Sequence, residues 1–83
     1  MNIKIYVGNL SKTTTRAELG TLFNQAGDVI AVDVIKDHHT GESRGFAFVT
    51  MRAQSEAEKA VTMFNAFTLN DQVIKVSAAK PIL

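Results

Sequence analysis

Four stretches of the chain are typical of β-strands that bury one face, because residue types alternate along them with a period of two or because they are rich in Val and Ile. The stretches are residues 3–8, 29–36, 44–51 and 73–77. In the first stretch, we expect Ile3, Ile5 and Val7 to face a core, because they take alternate positions. The inward positions in the second and last stretches are Val32, Val34, Ile74 and Val76. The pattern therefore predicts four strands.

Two other stretches have the i, i+3, i+4, i+7 spacing of a helix with one buried side. Their apolar positions are Leu19, Leu22, Phe23 and Ala26 in the first, and Ala57, Ala60, Val61 and Phe64 in the second. Thr15 with Glu18, and Ser55 with Glu58, have the spacing of a capping box, so we expect a helix to begin after each Thr or Ser. We expect Gly27 to end the first helix through a positive φ.

Turn residues separate these segments and fix their order as β-α-β-β-α-β. Thr40-Gly41 marks a tight point in a polar loop, and Asn70-Asp71 is a second turn signal. Two helices with one apolar side each can cover only one face of a four-stranded sheet, so the other face must remain open. We predict an α+β, ferredoxin-like fold: an antiparallel sheet with both helices on one face. A chain of 83 residues has room for one such domain, over residues 1–83.

Aromatic residues occupy outward positions of two predicted strands. Tyr6, Phe46 and Phe48 alternate with the inward residues, so we expect their rings on the open face of the sheet. If Phe46 and Phe48 faced inward instead, Ala47 and Val49 would face water and the helices would cover the wrong residues. Exposed rings on a sheet form a surface on which unpaired nucleobases stack. We therefore predict binding of single-stranded RNA, with single-stranded DNA as a second possible ligand.

Charge adds only a weak attraction for a polyanion, because nine Lys and Arg face eight Asp and Glu, a net charge of +1. Lys4, Lys75 and Lys80 lie at or near the open face and are candidates for contacts with phosphates. Asp33 places a carboxylate on the same face, where it repels phosphate and can accept a hydrogen bond from a base amino group. We expect an affinity of roughly micromolar Kd.

Two segments resemble the signature motifs of the RNA-recognition motif family. Residues 44–51 match the family octamer at every defined position except the last, and residues 5–10 match its hexamer throughout. With the strand order, the likeness extends from about Ile3 to Ala79. The chain is similar to short single-domain RNA-binding proteins of bacteria and to the matching domain of plant glycine-rich RNA-binding proteins.

The resemblance implies a role for each residue of the two motifs. Tyr6 and Phe48 would each stack on a base, Phe46 would contact the sugars between them, and Arg44 would pair with a phosphate. Gly45 would let the backbone approach closely beside the first ring. The cellular role implied is post-transcriptional regulation or RNA chaperoning.

Some residues depart from the family pattern. Met51 stands where the family usually has an aromatic residue, and counting by two places it on the core side, so we expect it to affect packing. His38, His39 and Glu42 stand in the loop where relatives often carry Arg or Lys. We therefore expect RNA binding to strengthen as the pH falls toward about 6, where histidines gain charge.

Other kinds of function are poorly supported by the residues. The chain has no Cys, and adjacent histidines without further ligands do not make a metal site, so we expect no metal and no cofactor. Some acylphosphate-hydrolysing enzymes share this strand order and use a glycine-rich first loop with an Arg. Here the first loop, Ser11–Thr14, has no Gly, and Arg16 is more simply a solvated residue. We expect no enzymatic activity.

A protein-interaction module is the alternative function. The same exposed rings, or Ile35 beside them, can bind a peptide or a second copy of the domain. The intact set of rings favours RNA over this alternative, and we expect a monomer. Because residues 1–10 resemble no secretion signal and no apolar run reaches the roughly 20 residues of a membrane helix, we expect a cytoplasmic location.

Overall fold

The computed structural model describes the backbone of residues 2–81 and the side chains of residues 2–78. Its elements are β1 (Ile3–Gly8), α1 (Arg16–Phe23), β2 (Val29–Lys36), β3 (Ser43–Met51), α2 (Gln54–Phe64), β4 (Thr68–Leu69), β5 (Gln72–Val73) and β6 (Lys75–Pro81). The main sheet has the strand order β2-β3-β1-β6, and all of its neighbouring strands are antiparallel. The predicted α+β fold is confirmed.

The core lies between one face of this sheet and the two helices. Ile5 and Val7 on β1 and Val49 on β3 are fully buried. The rings of Phe23 on α1 and Phe64 on α2 meet beneath them, with their centroids 5.0 Å apart. Because both helices pack on this face, no helix within residues 2–81 lies over the opposite face of the sheet, which we call the open face.

Met51 also belongs to the core, as period-two counting predicts. Its side chain is fully buried with those of Ala47 and Val49, on the same side of β3. An aromatic residue is therefore replaced here by a flexible apolar side chain that fills space under the sheet. The predicted core position of Met51 is confirmed.

The start of α1 forms the predicted capping box. The Thr15 Oγ1 accepts a hydrogen bond from the Glu18 backbone N at 3.2 Å, and the Thr15 backbone N donates to the Glu18 Oε1 at 3.2 Å. Two backbone N–H groups that a helix start leaves without partners are satisfied in this way. The hydrogen bonds fix where α1 begins.

The predicted end of α1 at Gly27 is wrong. The helix ends at Phe23, and the chain leaves it through a turn in which the Ala26 N donates to the Phe23 oxygen at 2.9 Å. Gly27 does not have a positive φ. A Cβ at Gly27 would lie 2.5 Å from the Glu56 Cδ, so the glycine is required by the close approach of α2.

The predicted capping box of α2 is also wrong. Ala53 occupies the N-cap without a side-chain hydrogen bond, and α2 already includes Gln54 and Ser55. Ser55 therefore lies inside the first turn, where its side chain cannot cap the helix. Glu58 accepts a hydrogen bond from the Gln54 Nε2 at 3.3 Å instead. The buried side of α2 has the predicted residues Ala57, Ala60 and Phe64.

A short hairpin of β4 and β5 precedes the last strand. Asn70 and Asp71 form its turn with φ values of 51° and 64°, as a two-residue type I′ turn requires. The predicted strand 73–77 is thus divided: β5 ends at Val73, and β6 begins at Lys75 and continues to Pro81. Ile74 and Val76 are buried as predicted.

Asn70 ties this hairpin to the start of α1. Its Nδ2 donates to the Thr14 Oγ1 at 3.1 Å and to the Glu18 Oε2 at 2.9 Å. These contacts join residues more than 50 positions apart in the chain. The hydrogen bond from Asn70, followed by the one from the Thr15 backbone, lowers the pKa of Glu18 below its ordinary value of 4.5.

The stability of the fold should depend on the charge of Glu18 in mildly acidic solution. A carboxyl group with a lowered folded-state pKa contributes stability that is present above its unfolded pKa and is lost as the pH falls through the folded pKa. We expect Glu18→Gln to be less stable than the wild type near neutral pH, with a difference that shrinks at pH values below 4.5. Urea unfolding at several pH values measures this difference. Glu58→Gln is the control, and a difference for Glu18→Gln that does not change with pH would contradict the assignment.

Candidate nucleic-acid interface

Three aromatic rings lie together on the open face, and we call them the ring cluster: Tyr6, Phe46 and Phe48. Tyr6 on β1 is the register partner of Phe48 on β3. The ring centroids are 5.9 Å apart for Tyr6 and Phe48, and 6.1 Å apart for each of the other two pairs. Tyr6 is 37% exposed, and Phe46 and Phe48 are half-buried. The strands thus join the two sequence motifs in one surface.

The rings differ in orientation. Tyr6 and Phe46 are inclined by only 30°, whereas Phe48 makes angles of 64° with Tyr6 and 86° with Phe46. Edge-to-face contacts of this kind stabilise neighbouring aromatic rings. The planes of Tyr6 and Phe46 are therefore closer to parallel with each other than either is with the plane of Phe48.

Gly8 leaves space for the ring of Tyr6. Residues two apart in a strand share a face, and a Cβ at Gly8 would lie 2.7 Å from the Tyr6 Cε2 and 2.8 Å from its Cζ. Gly8 is buried although it lies on the open face. The Tyr6 ring therefore lies along β1 above Gly8.

A bulge at the start of β3 sets the position of Phe46. Gly45 has a φ of 87°, its oxygen accepts from the Leu10 N at 2.8 Å, and its N donates to the Ser43 Oγ at 3.1 Å. The pairing with β2 shifts register in this segment. Gly45 thus joins the ends of the two motifs, and its positive φ explains why the motif requires glycine there.

The predicted cations lie around the ring cluster at different distances. The Lys4 Nζ is 5.1 Å from the Phe48 ring centroid, within the range of a cation–π contact. Arg44 is exposed near the start of β3. Lys75 is exposed on β6, where it is the register partner of Gly8. Among residues 2–78, no salt bridge involves any of these three cations. The backbone of Lys80 belongs to β6, but its side chain lies outside the described residues.

Asp33 is exposed on the open face at the outer strand β2. In the β2–β3 pairing it is the register partner of Phe48. The sheet therefore brings five of the predicted site residues together: Tyr6, Phe46, Phe48, Lys4 and Asp33. Arg44 and Lys75 border them.

A groove that the residue pattern does not predict lies between Tyr6 and the start of β6. It has a volume of about 510 Å³ and includes Asn65, Val73, Lys75 and Ser77 in its lining. Asn9, with a φ of 58°, holds this segment through an Nδ2 hydrogen bond to the Val73 oxygen. An Asn directly after a strand is the signal that could have indicated such a residue.

The histidine loop is ordered by Asp37, whose Oδ1 accepts from the His39 N at 2.8 Å and from the Thr40 N at 3.3 Å. The rings of His38 and His39 are exposed, with centroids 4.8 Å apart. No group of three potential metal ligands occurs in the described part of the chain. Within the same residues, no helix has the length and apolar character needed to cross a membrane.

Comparisons with known proteins agree with this geometry. The family model of the RNA recognition motif matches residues 5–75. The chloroplastic RNA-binding protein CP29B of Arabidopsis thaliana is 45% identical over 96% of this chain, which spans 28% of that relative's length. The crystal structure of RNA Binding Protein PG1 has a TM-score of 0.91 and 33% identity, and the match covers 98% of both chains. A Sxl-lethal protein/RNA complex has a TM-score of 0.90 and 31% identity, covering 98% of this chain and 48% of that one.

The predicted cytoplasmic location is wrong in the light of these relatives. CP29B is named as a chloroplastic protein, and so are relatives from Nicotiana sylvestris and Nicotiana plumbaginifolia. The prediction used the absence of a secretion signal and of a membrane helix. Neither absence bears on import into a chloroplast, because transit peptides differ in composition from secretion signals and from membrane helices.

Gly45→Ala should destabilise the fold more than Gly41→Ala. Both glycines have a positive φ, of 87° and 76°, where a side chain adds about 1 to 3 kcal/mol of strain. A Cβ at Gly45 would meet the Leu10 oxygen at 3.4 Å, an ordinary van der Waals distance, and a Cβ at Gly41 has no atom within 4 Å, so neither variant creates a clash. Gly45 is held in the bulge by its hydrogen bonds with Leu10 and Ser43, so its backbone cannot relax without breaking them, whereas Gly41 lies in the exposed loop. Urea unfolding of both variants measures the difference. An equal loss of stability in the two variants would mean that the hydrogen bonds of the bulge add nothing to the requirement for glycine at position 45.

Proposed function

We propose, from the premise that this chain belongs to the RNA recognition motif family, that it binds single-stranded RNA on its open face. The observation that carries the proposal is the ring cluster, whose centroids lie 5.9 to 6.1 Å apart on the face that no helix covers. Every base has a flat π-face, and stacking on an aromatic side chain contributes about 1 to 3 kcal/mol per base. Duplex RNA cannot use such a surface, because its bases are already paired and stacked.

In this proposal two to four nucleotides lie across the sheet, as is usual for the fold. One base stacks on Tyr6 and another on Phe48, and Phe46 contacts the sugars between them. The different ring orientations imply that the two bases are inclined to each other, since the planes of Tyr6 and Phe48 differ by 64°. The groove beside Tyr6 then receives the edge of the base that stacks on Tyr6.

Cations at the border of the ring cluster supply the contacts with phosphates. Arg44 and Lys75 are exposed and make no salt bridge within residues 2–78, so neither has to leave a protein partner to meet the RNA. A guanidinium can bind two phosphate oxygens at once. We assign Lys80 a similar role from the sequence alone. The net charge of +1 limits the number of phosphates neutralised and hence the affinity.

The names of similar proteins support RNA as the ligand. CP29B is named an RNA-binding protein, and the Sxl-lethal structure is a complex with RNA. We propose a monomeric domain over residues 1–83 without enzymatic activity or cofactor, acting in post-transcriptional regulation or as an RNA chaperone. Single-stranded DNA can bind to the same rings, because stacking does not involve the 2′-hydroxyl.

Phe48→Leu should weaken RNA binding while retaining an apolar side chain on the sheet. Loss of one stacked base predicts a Kd for a labelled RNA octanucleotide that is about 5- to 100-fold higher, measured by fluorescence anisotropy. Phe67→Leu is the matched control, because Phe67 is 38% exposed and lies against Phe64 of α2. If Phe48→Leu binds as tightly as the wild type, the Phe48 ring does not bind RNA, which would favour the alternative protein-interaction function of the same face.

Gly8→Ala should weaken RNA binding without lowering stability. The new methyl group displaces the Tyr6 ring, whereas Ala in place of Gly in a strand usually stabilises by about 0.5 to 1 kcal/mol. We expect a Kd about 5-fold higher or more, with a urea midpoint at least as high as that of the wild type. Gly20→Ala is the control, since its nearest side-chain neighbour is the Val32 Cγ2 at 3.9 Å. Unchanged affinity of Gly8→Ala would show that Tyr6 binds no base in this position.

A further inference from the structure

A carboxylate borders one ring of the ring cluster. Asp33 on β2 lies directly opposite Phe48 on β3, and Phe48 lies directly opposite Tyr6 on β1. Directly opposed residues of antiparallel strands have Cβ atoms about 4.5 to 5.5 Å apart. Strand alternation places Asp33 on the open face, so its side chain projects from the same side of the sheet as the Phe48 ring. A base stacked on Phe48 therefore presents one edge to Asp33.

The Asp33 carboxylate has its full capacity to accept hydrogen bonds. The salt bridges among residues 2–78 are Lys12–Glu42 and Arg52–Asp28, and no side-chain hydrogen bond in that range involves Asp33. Its side chain is exposed. An ionised carboxylate accepts at two oxygens and donates nothing. The carboxylate therefore favours a base that has hydrogen-bond donors on the edge facing it, and it disfavours a base that has acceptors there.

The four RNA bases carry different sets of hydrogen-bond donors and acceptors on their Watson–Crick edges, which are accessible only in single strands. Guanine carries two neighbouring donors, N1–H and the N2 amino group, which match two carboxylate oxygens as a guanidinium does. Adenine and cytosine carry one amino group beside an acceptor nitrogen. Uracil has a single N3–H between two carbonyl oxygens, and these repel a carboxylate.

Lys4 lies on the other side of Phe48 and has the complementary chemistry. It is on β1, two residues before Tyr6, and its Nζ is 5.1 Å from the Phe48 ring centroid. An ammonium group only donates hydrogen bonds, and guanine offers it the acceptors O6 and N7. The base above Phe48 is thus flanked by an acceptor on β2 and a donor on β1.

We propose that Asp33 makes the Phe48 position select guanine over uracil, an inference that rests on the proposed binding of RNA to the open face. The negative charge of Asp33 lowers the affinity for every RNA. Hydrogen bonds to Asp33 restore part of this affinity only when the base on Phe48 has two donors. The ligand is therefore single-stranded RNA with guanine at the position stacked on Phe48.

The test compares two RNA octanucleotides, r(UUGUUGUU) and r(UUUUUUUU), bound to the wild type, to Asp33→Asn and to Asp71→Asn. Two well-placed hydrogen bonds predict that the wild type binds the guanine-containing RNA about 5-fold more tightly or better. Asp33→Asn should reduce this ratio by about 3-fold or more, because an amide offers one acceptor instead of two. Asp71 lies in the β4–β5 turn with a φ of 64°, which Asn tolerates, so Asp71→Asn removes the same charge away from the rings.

The ratio of the two Kd values is the decisive quantity, since the general effect of losing a negative charge cancels in it. A ratio that falls in Asp33→Asn and is unchanged in Asp71→Asn supports the inference. An equal ratio in the wild type and Asp33→Asn, or a wild type that binds both RNAs equally, overturns it. Phe48→Leu distinguishes a failure of guanine selection from a failure of the proposed RNA binding. If that variant binds r(UUGUUGUU) as tightly as the wild type, the proposed binding of RNA to the open face is itself wrong.

Discussion

Burial of one sheet face beneath α1 and α2 decides which side chains of this molecule can meet a ligand. Every second residue of β1 and β3 is committed to the core, where Ile5, Val7 and Val49 are fully buried. The residues between them have no helix to pack against and must lie on the open face. For that reason Tyr6 is exposed and Phe48 is half-buried on the open face. A shift of register by one residue would bury both rings and expose the aliphatic core, at a large loss of hydrophobic free energy.

Residues next to the rings then set the position of each ring on the open face. The missing side chain at Gly8 lets the Tyr6 ring lie along its own strand, and the positive φ of Gly45 forms the bulge from which Phe46 projects. Asn9 holds the segment that lines the groove next to Tyr6. Each of these residues acts through geometry, and none needs to touch RNA. In the proposed function the rings supply the stacking energy, whereas the residues around them determine the position and orientation of the rings.

Much of the fold follows from the sequence because its strands and helices have strong periodicity. The capping box at Thr15 and the core position of Met51 were predictable in this way. The sequence pattern failed where local spacing competes with tertiary packing: Ser55 and Glu58 have capping-box spacing, but α2 begins before them. It also failed for β4 and β5, since strands of two residues are too short to show alternation. The neighbourhood of Asp33 and Phe48 depends on strand register, which only the paired sheet defines.

The central claim is that the open face, and no other surface, receives single-stranded RNA. Titration of ¹⁵N-labelled protein with a short RNA, followed by amide chemical shifts, tests it most directly, because every residue except proline reports its own surroundings. We predict that the largest shifts occur in β1 and β3 and at the start of β6, with small shifts in α1 and α2. Shifts confined to the two helices would contradict the account.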